Sequence, residues 1–309
     1  MFKEFIEDLR RKQISVTFSG GKIKYTGPEQ YINSQFIEDL KKYKGKLIKH
    51  LWPSECSNMM PINTDGNKVP FILLHGEKMN YPLSEYFGPE QPFYGFFHYG
   101  SEGEKIFHRT VEAFAADYIT QLQKIVPDGP YNLAGFSFGG LIAFEMAVQL
   151  QRKGFDVPVL ILIDCKNPAA KEPLNAPNII SRVYYTIHDF LREAYYWSYH
   201  KGRLIYYETF LSFKTKLHNE KRNYYIMGTY MMIGKKYKPK TAYKGEILLF
   251  RSSQHNSVHE YLGWDHLCDK IQIKLIEGTH KTLYESEESY NILSKNITDW
   301  LQPSNGQTG

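Results

Sequence analysis

Twenty residues constrain this chain more than any others: YNLAGFSFGGLIAFEMAVQL, from Tyr131 to Leu150. A short apolar run ends on Gly135-Phe136-Ser137-Phe138-Gly139-Gly140, and a long apolar helix pattern, expected from Leu141 to about Lys153, follows at once. Glycines on both sides of the serine suit a crowded, strained turn from strand into helix, with the serine held up at its apex. Gly140 lets the helix pack close to the strand. The Gly-x-Ser-x-Gly pattern is weak by itself, so the surrounding sequence has to decide whether Ser137 is a nucleophile.

That surrounding sequence alternates. From Pro70 onward, FILLH and PFYGFFHY read as buried strands, TVEAFAADYITQLQKIV as a helix, and VPVLILID as the strand after the serine helix. EILLFRSS and IQIKLIEG add two more strands, and a helix is expected from about Glu287 to Leu301. Alternation of this kind implies an α/β fold with a mostly parallel sheet covered by helices on both faces. After Asp164 the pattern stops for about eighty residues. That stretch is helical in character and crowded with aromatics, among them Tyr206, Tyr207, Phe210, Tyr224 and Tyr225.

The first fifty residues form a separate pattern. Phe2, Phe5, Ile6 and Leu9 fall on one helical face. ISVTF and KIKYT alternate apolar and polar residues around Ser19-Gly20-Gly21, which predicts a β-hairpin. A helical stretch runs from about Pro28 to Leu51, with a fresh start expected at Asn33-Ser34, both good N-caps. WPSECSNMMPINTDGNKVP then carries breakers and no periodicity, so 53–68 reads as a linker.

Charge is unevenly spread. The net charge is +5, but residues 166–244 hold 15 lysines and arginines against 5 acids, while 56–165 hold 7 against 12. A basic insertion in an acidic body suggests an acidic partner for the insertion, or simply a solvated helical surface, and no nucleic-acid partner is expected. No run of eighteen apolar residues appears that could cross a bilayer, and MFKEFIEDLRRKQ lacks the apolar core of a signal peptide. Cys56, Cys165 and Cys268 have neither metal-type spacing nor an even count. A reduced, cytoplasmic protein without membrane contact is expected.

The chemistry can now be placed. A serine nucleophile on this architecture takes its acid and histidine from later strand ends, in the order Ser, Asp, His. Asp164 ends VPVLILID, directly after the nucleophile helix. The next strand tip, RSSQHNS, holds no carboxylate, which leaves Asp164 as the candidate acid. His280 follows the last strand and precedes the last helix, as a general base should. His255, His259 and His266 fall in one loop and are expected to make local hydrogen bonds. The oxyanion needs two backbone N–H donors, expected from Phe138 and from the loop after FILLH, near Glu77. A carboxylate at Glu77 is awkward there unless it points to solvent.

With these residues located, 68–302 resembles the thioesterase domain of nonribosomal peptide and polyketide synthetases, within the alpha/beta-hydrolase superfamily. LLHG, the YGFF strand, TVEAFAADYITQLQ, GPYNLAGFSFGGLIAFEMA, LILID and EGTH carry the likeness. The resemblance implies a domain at 69–302 with a helical lid at about 170–240, and an acyl chain delivered on the 4'-phosphopantetheine arm of a carrier protein in trans. No other cofactor and no metal is implied. Self-editing members of that family usually have a histidine before the serine; Phe136 stands there, which favours product release. Residues 1–52 resemble the tubulysin-synthetase type of N-terminal docking domain, through FIEDLRRKQISVTFSGGKIKYTGP and the FIEDLKKYKGKLIKHL helix. That implies a small α+β domain whose residues 1–51 receive the C-terminal tail of an upstream synthetase, with Lys22 and Lys24 suited to an acidic tail, and which can pair as a homodimer. Residues 303–309 are expected to be a disordered tail.

On this reading the chain is a free-standing, docking-equipped thioesterase. The rivals are a proofreading thioesterase that clears misprimed carriers, a general carboxylesterase or acyltransferase, and a non-enzymatic adaptor. Hydrolysis, macrocyclisation and intermolecular transfer stay open on the sequence, as do the acyl chain and the partner synthetase.

Overall fold

The computed structural model describes residues 2–19, 22–51, 56, 58–170, 191, 194, 198–213 and 215–301. At the N-terminus, α1 (Phe2–Arg11) is followed by the antiparallel hairpin β1 (Ser15–Ser19) and β2 (Lys22–Thr26), with Ser19 opposite Lys22. A short 3-10 turn over Glu29–Tyr31 precedes α2 (Ser34–Leu51). Asn33 caps α2, its side-chain oxygen accepting from Phe36 N at 3.0 Å, so the fresh start expected there is real. One face of α1 and one of α2 close on each other through Phe5, Leu9, Ile14, Phe36, Leu40 and Leu47. Lys24 is exposed on β2.

This small unit leans on the larger one. Ile48 belongs to the main core, and Ile23 and Leu51 pack against both cores. Lys44 of α2 pairs with Asp65 of the larger unit.

The main sheet has seven strands: β3 (Met59–Asn63), β4 (Phe71–Leu74), β5 (Phe93–Phe96), β6 (Asn132–Phe136), β7 (Val159–Ile163), β8 (Tyr243–Ser252) and β9 (Cys268–Ile276), in the order β3-β5-β4-β6-β7-β8-β9. β3 pairs antiparallel with β5, and the remaining pairs are parallel. β3 lies inside the stretch read from sequence as linker. Its Pro61 cannot donate to a ladder, which an edge strand tolerates, and the breakers around it hid a strand of five residues.

Helices α3 (Asn80–Phe87), α4 (Val111–Ile125) and α5 (Phe138–Arg152) connect the strands, and α8 (His280–Glu285) and α9 (Glu287–Leu301) follow the last one. Alternate residues of each strand serve opposite faces, as the two-residue period requires. Ile72, Leu133, Leu160 and Leu249 meet α4 and α5. Phe71, Ala134, Ile161 and Phe250 meet Leu83 of α3 and Leu293 and Ile297 of α9.

The insertion after β7 is described in part. Residues 198–211 are helical (α6), and α7 (Asn219–Lys236) follows. The aromatics at 184, 185 and 195–197 lie outside the described residues, as does the tail expected at 303–309. Of the insertion aromatics described, Tyr207, Tyr225 and Tyr230 are buried, whereas Tyr206, Phe210 and Phe213 face solvent.

The chain leaves β4 towards β5 on one side and then returns to place β6 on the other. The crevice beyond the carboxyl ends of β4 and β6 is therefore the topological switch point, where open α/β sheets place their ligands.

Candidate active site

Ser137 sits at that crevice, between β6 and α5. Its backbone is left-handed, with φ 53° and ψ −118°, a conformation that costs a non-glycine residue roughly 1–3 kcal/mol. Its neighbours explain how the turn closes. A Cβ on Gly135 would lie 2.2 Å from Gly139 O, and one on Gly139 would lie 2.3 Å from Leu74 O, so glycine is required at both. Ser137 occupies the N-cap of α5, yet its side chain makes no capping bond. The contrast is Thr110, which caps α4 by accepting from Ala113 N at 3.1 Å. Among the described residues no hydrogen bond takes up the Ser137 hydroxyl, which stands at the positive end of a helix.

Asp164 follows β7 and is 2% exposed. His280 opens α8, which Thr279 caps through a reciprocal box with Thr282. Nδ1 of His280 donates to Asp164 Oδ2 at 2.8 Å. The other carboxylate oxygen accepts from Ser252 N at 2.8 Å and Ser252 Oγ at 3.1 Å. Burial opposes the charge on Asp164, but the bonds from His280 and Ser252 outweigh it and hold the carboxyl below its usual range. A carboxylate that only accepts fixes the proton of His280 on Nδ1 and leaves Nε2 as the basic nitrogen.

Ser137, Asp164 and His280 line one cavity of about 580 Å³. Leu141, Met227, Tyr230 and Met231 give it apolar walls, and α7 of the insertion supplies the last three. Among the described residues no hydrogen bond joins the Ser137 hydroxyl to His280; the structure couples Asp164 to His280 and brings Ser137 into the same cavity. The ring of Tyr230 lies flat on Phe138, 4.5 Å between centroids, and on His75 at 5.3 Å, so α7 rests on the turn that carries Ser137.

Phe138 N–H belongs to the first turn of α5, where backbone donors lack helical partners. The turn after β4 is left-handed at His75, φ 58°. Glu77 does not point to solvent as its placement had required. Its Oε1 accepts from His98 N at 2.9 Å and from His98 Nδ1, and its Oε2 from Tyr284 OH at 3.3 Å. Burial pushes the Glu77 carboxyl up, and the His98 bonds together with its own backbone amide bring it below its usual range. His75, rather than Glu77, lines the cavity from this turn.

Sequence reasoning missed several residues of the site. Ser252 stands at the strand tip that lacked a carboxylate and, buried behind the cavity, holds the carboxylate of its neighbour. His75, His98, Tyr284 and His255 line the cavity itself. The local bond expected of His255 exists, Nδ1 accepting from Ser257 N at 3.1 Å. His75 is fully buried, and burial followed by the charge of His98 pushes it well below its usual 6.5. Its Nε2 meets Tyr118 OH at 3.0 Å, and that hydroxyl in turn donates to Phe97 O at 3.0 Å.

Comparison with known proteins gives this geometry a family. The thioesterase domain model matches residues 76–301, and the TubC N-terminal docking domain model matches residues 3–52. Malpibaldin synthetase of Mortierella alpina is 28% identical over 260 residues, covering 81% of this chain and 4% of that protein. Atromentin synthetase of Tapinella panuoides is 32% identical over 140 residues, covering 44% of this chain and 15% of that protein. The chain thus spans a small fraction of the length of these relatives. Among solved structures, the NocB thioesterase domain of the nocardicin cluster superposes with a TM-score of 0.53 at 19% identity, covering 79% of this chain and 99% of that one. The surfactin thioesterase domain SrfTE gives 0.52 at 19% identity, covering 82% of this chain and 98% of that one. Seven strands in a mostly parallel sheet with helices on both faces are the alpha/beta-hydrolase architecture those structures share. The chain belongs to the thioesterase-domain family, and its residues 3–52 match the TubC N-terminal docking domain.

Proposed function

We propose that this protein takes an acyl or peptidyl chain from the phosphopantetheine thioester of a carrier protein onto Ser137 and releases it by hydrolysis or cyclisation. The observation that carries the reading is the Asp164–His280 bond of 2.8 Å in the cavity that Ser137 also lines, at the N-cap of α5 and without a capping bond. His280 Nε2 takes the serine proton as the oxygen attacks the thioester carbonyl, while Asp164 stabilises the charged imidazole. Phe138 N–H and a backbone N–H of the turn after β4, near Glu77, receive the developing oxyanion. The proton on His280 then passes to the departing sulfur. In the second half His280 deprotonates water or a nucleophile of the chain itself, and the serine oxygen leaves with that proton. Catalytic hydrogen bonds are often unformed before substrate arrives, so the serine–histidine bond is expected to close in the loaded enzyme.

A cavity of about 580 Å³ with apolar walls is of the size that encloses a drug-sized ligand. That favours long acyl or peptidyl chains over the short groups a proofreading enzyme clears. A carrier protein presents the acyl chain, and the hairpin with α2 receives the tail of an upstream synthetase. The side chains and amides named suffice for the chemistry, and we assign no further cofactor.

The test is intact-protein mass spectrometry after mixing with acyl-pantetheine thioesters of several lengths, wild type beside Ser137→Ala. A mass adduct on wild type alone, decaying to free acid or cyclic product, is expected. Equal turnover by Ser137→Ala would sink the assignment.

A further inference from the structure

A carboxylate next to an oxyanion site should oppose the reaction, because negative charge must develop beside it. Glu77 is such a carboxylate, and its surroundings are built to absorb it. His98, at the end of β5, gives it two hydrogen bonds, one from the backbone and one from the ring. Tyr284, one turn into the helix that His280 opens, gives it a third. Lys78, the next residue of the same turn, pairs with Glu285 at 2.9 Å and sits over the Tyr284 ring at 5.5 Å. The turn that carries one oxyanion donor is therefore tied to the helix that carries the base. Tyr284 also stacks on Phe136 at 5.0 Å, and Phe136 stacks on His280 at 4.6 Å.

We propose that Glu77 and His98 are positioning residues that act as a unit: the carboxylate ties the oxyanion turn to the base-carrying helix through Tyr284, and His98 cancels the charge this tie would otherwise set against the oxyanion. The inference rests on the acyl-transfer reading of Ser137. It makes an asymmetric prediction. Losing His98 leaves a carboxylate with one remaining side-chain donor, drawing on its own amide and facing the developing charge. Losing the charge of Glu77 removes the need for His98.

The experiment measures acyl-enzyme formation by the full chain, using an acyl-pantetheine thioester as probe, in His98→Asn, Glu77→Gln and the double variant. His98→Asn should slow acylation on the order of 10- to 100-fold, less than the roughly 100- to 1000-fold of losing an oxyanion donor outright. Glu77→Gln, whose amide oxygen still accepts from His98 N, should lose about threefold, and the double variant should regain roughly tenfold over His98→Asn. Tyr284→Phe, which keeps the ring stack, should lose about tenfold. A double variant no faster than His98→Asn, or a Glu77→Gln as slow as it, makes the cluster merely structural and overturns the proposal. Full acylation by His98→Asn overturns it as well. Wild type without a Ser137 adduct instead removes the acyl-transfer reading and this inference with it, so the two failures are distinct.

Discussion

The imidazole of His280 lies against the phenyl ring of Phe136, with centroids 4.6 Å apart and planes 26° from parallel. Phe136 directly precedes Ser137, so the residue that leads into the serine also packs on the ring of His280. A stack of this kind is worth about 0.5–1.5 kcal/mol. Phe136→Leu keeps most of the volume and removes the stack. It is expected to lower kcat/KM for thioester cleavage roughly 2- to 12-fold, with KM little changed. Steady-state kinetics on an acyl-pantetheine substrate checks this.

Ser252 gives Asp164 its second donor set. Ser252→Ala retains the backbone N–H and deletes the hydroxyl that reaches both carboxylate oxygens at 3.1 and 3.0 Å. A hydrogen bond to a charged group contributes about 1.5–3 kcal/mol. A loss of that order in urea unfolding is expected, together with about a tenfold fall in kcat. An unchanged unfolding midpoint would mean that water replaces the hydroxyl.

His75 makes stability depend on pH with a definite sign. The folded state keeps it neutral well below its usual 6.5, whereas the unfolded chain protonates it as pH falls through that value. Unfolding therefore takes up a proton below 6.5, and stability is lost as pH drops, by up to about 1.4 kcal/mol per pH unit. Urea unfolding at pH 7, 6 and 5 should show a steeper decline in wild type than in His75→Phe, which keeps the ring stacks. Equal slopes would show that the fold admits the proton.

The N-terminal unit has a small core of its own, and Leu9 is 5% exposed within it. Leu9→Ala should cost roughly 2–5 kcal/mol, enough to loosen a unit of this size. Amide exchange in the hairpin should rise and binding of acidic upstream tails should fall. Turnover of free acyl-pantetheine should stay as in wild type, since none of the cavity walls comes from residues 1–51.

The elements legible in the sequence were those with strong local signals. Apolar runs such as VLILI announce a strand buried on both faces, and Gly-Phe-Ser-Phe-Gly announces its own turn. Asp164 and His280 could be placed because chain order fixes which strand end each follows. Lateral adjacency was not legible. Glu77 meets His98 because β4 and β5 are neighbours in the sheet, and it meets Tyr284 because α8 folds back over the β4 turn; neither relation leaves a mark in local periodicity. β3 was hidden by Pro61 and its breaker-rich flanks, and α8, at six residues, is too short for a helical period to show.

Three neighbouring strand ends carry the site, and each leaves its strand through a left-handed residue that is not glycine: His75 after β4, Ser137 after β6, Asp164 after β7, with φ of 58°, 53° and 46°. Glycine at Ser137 would relieve roughly 1–2 kcal/mol of backbone strain and, on the acyl-transfer reading, delete the nucleophile; at His75 and Asp164 it would also strip out a buried side chain with its hydrogen bonds. A sturdier version of this protein is therefore one substitution away, and on that reading it would be inert. Screens that select for thermal tolerance alone should drift toward that glycine, and only selection for turnover holds the chain at its present, lower stability.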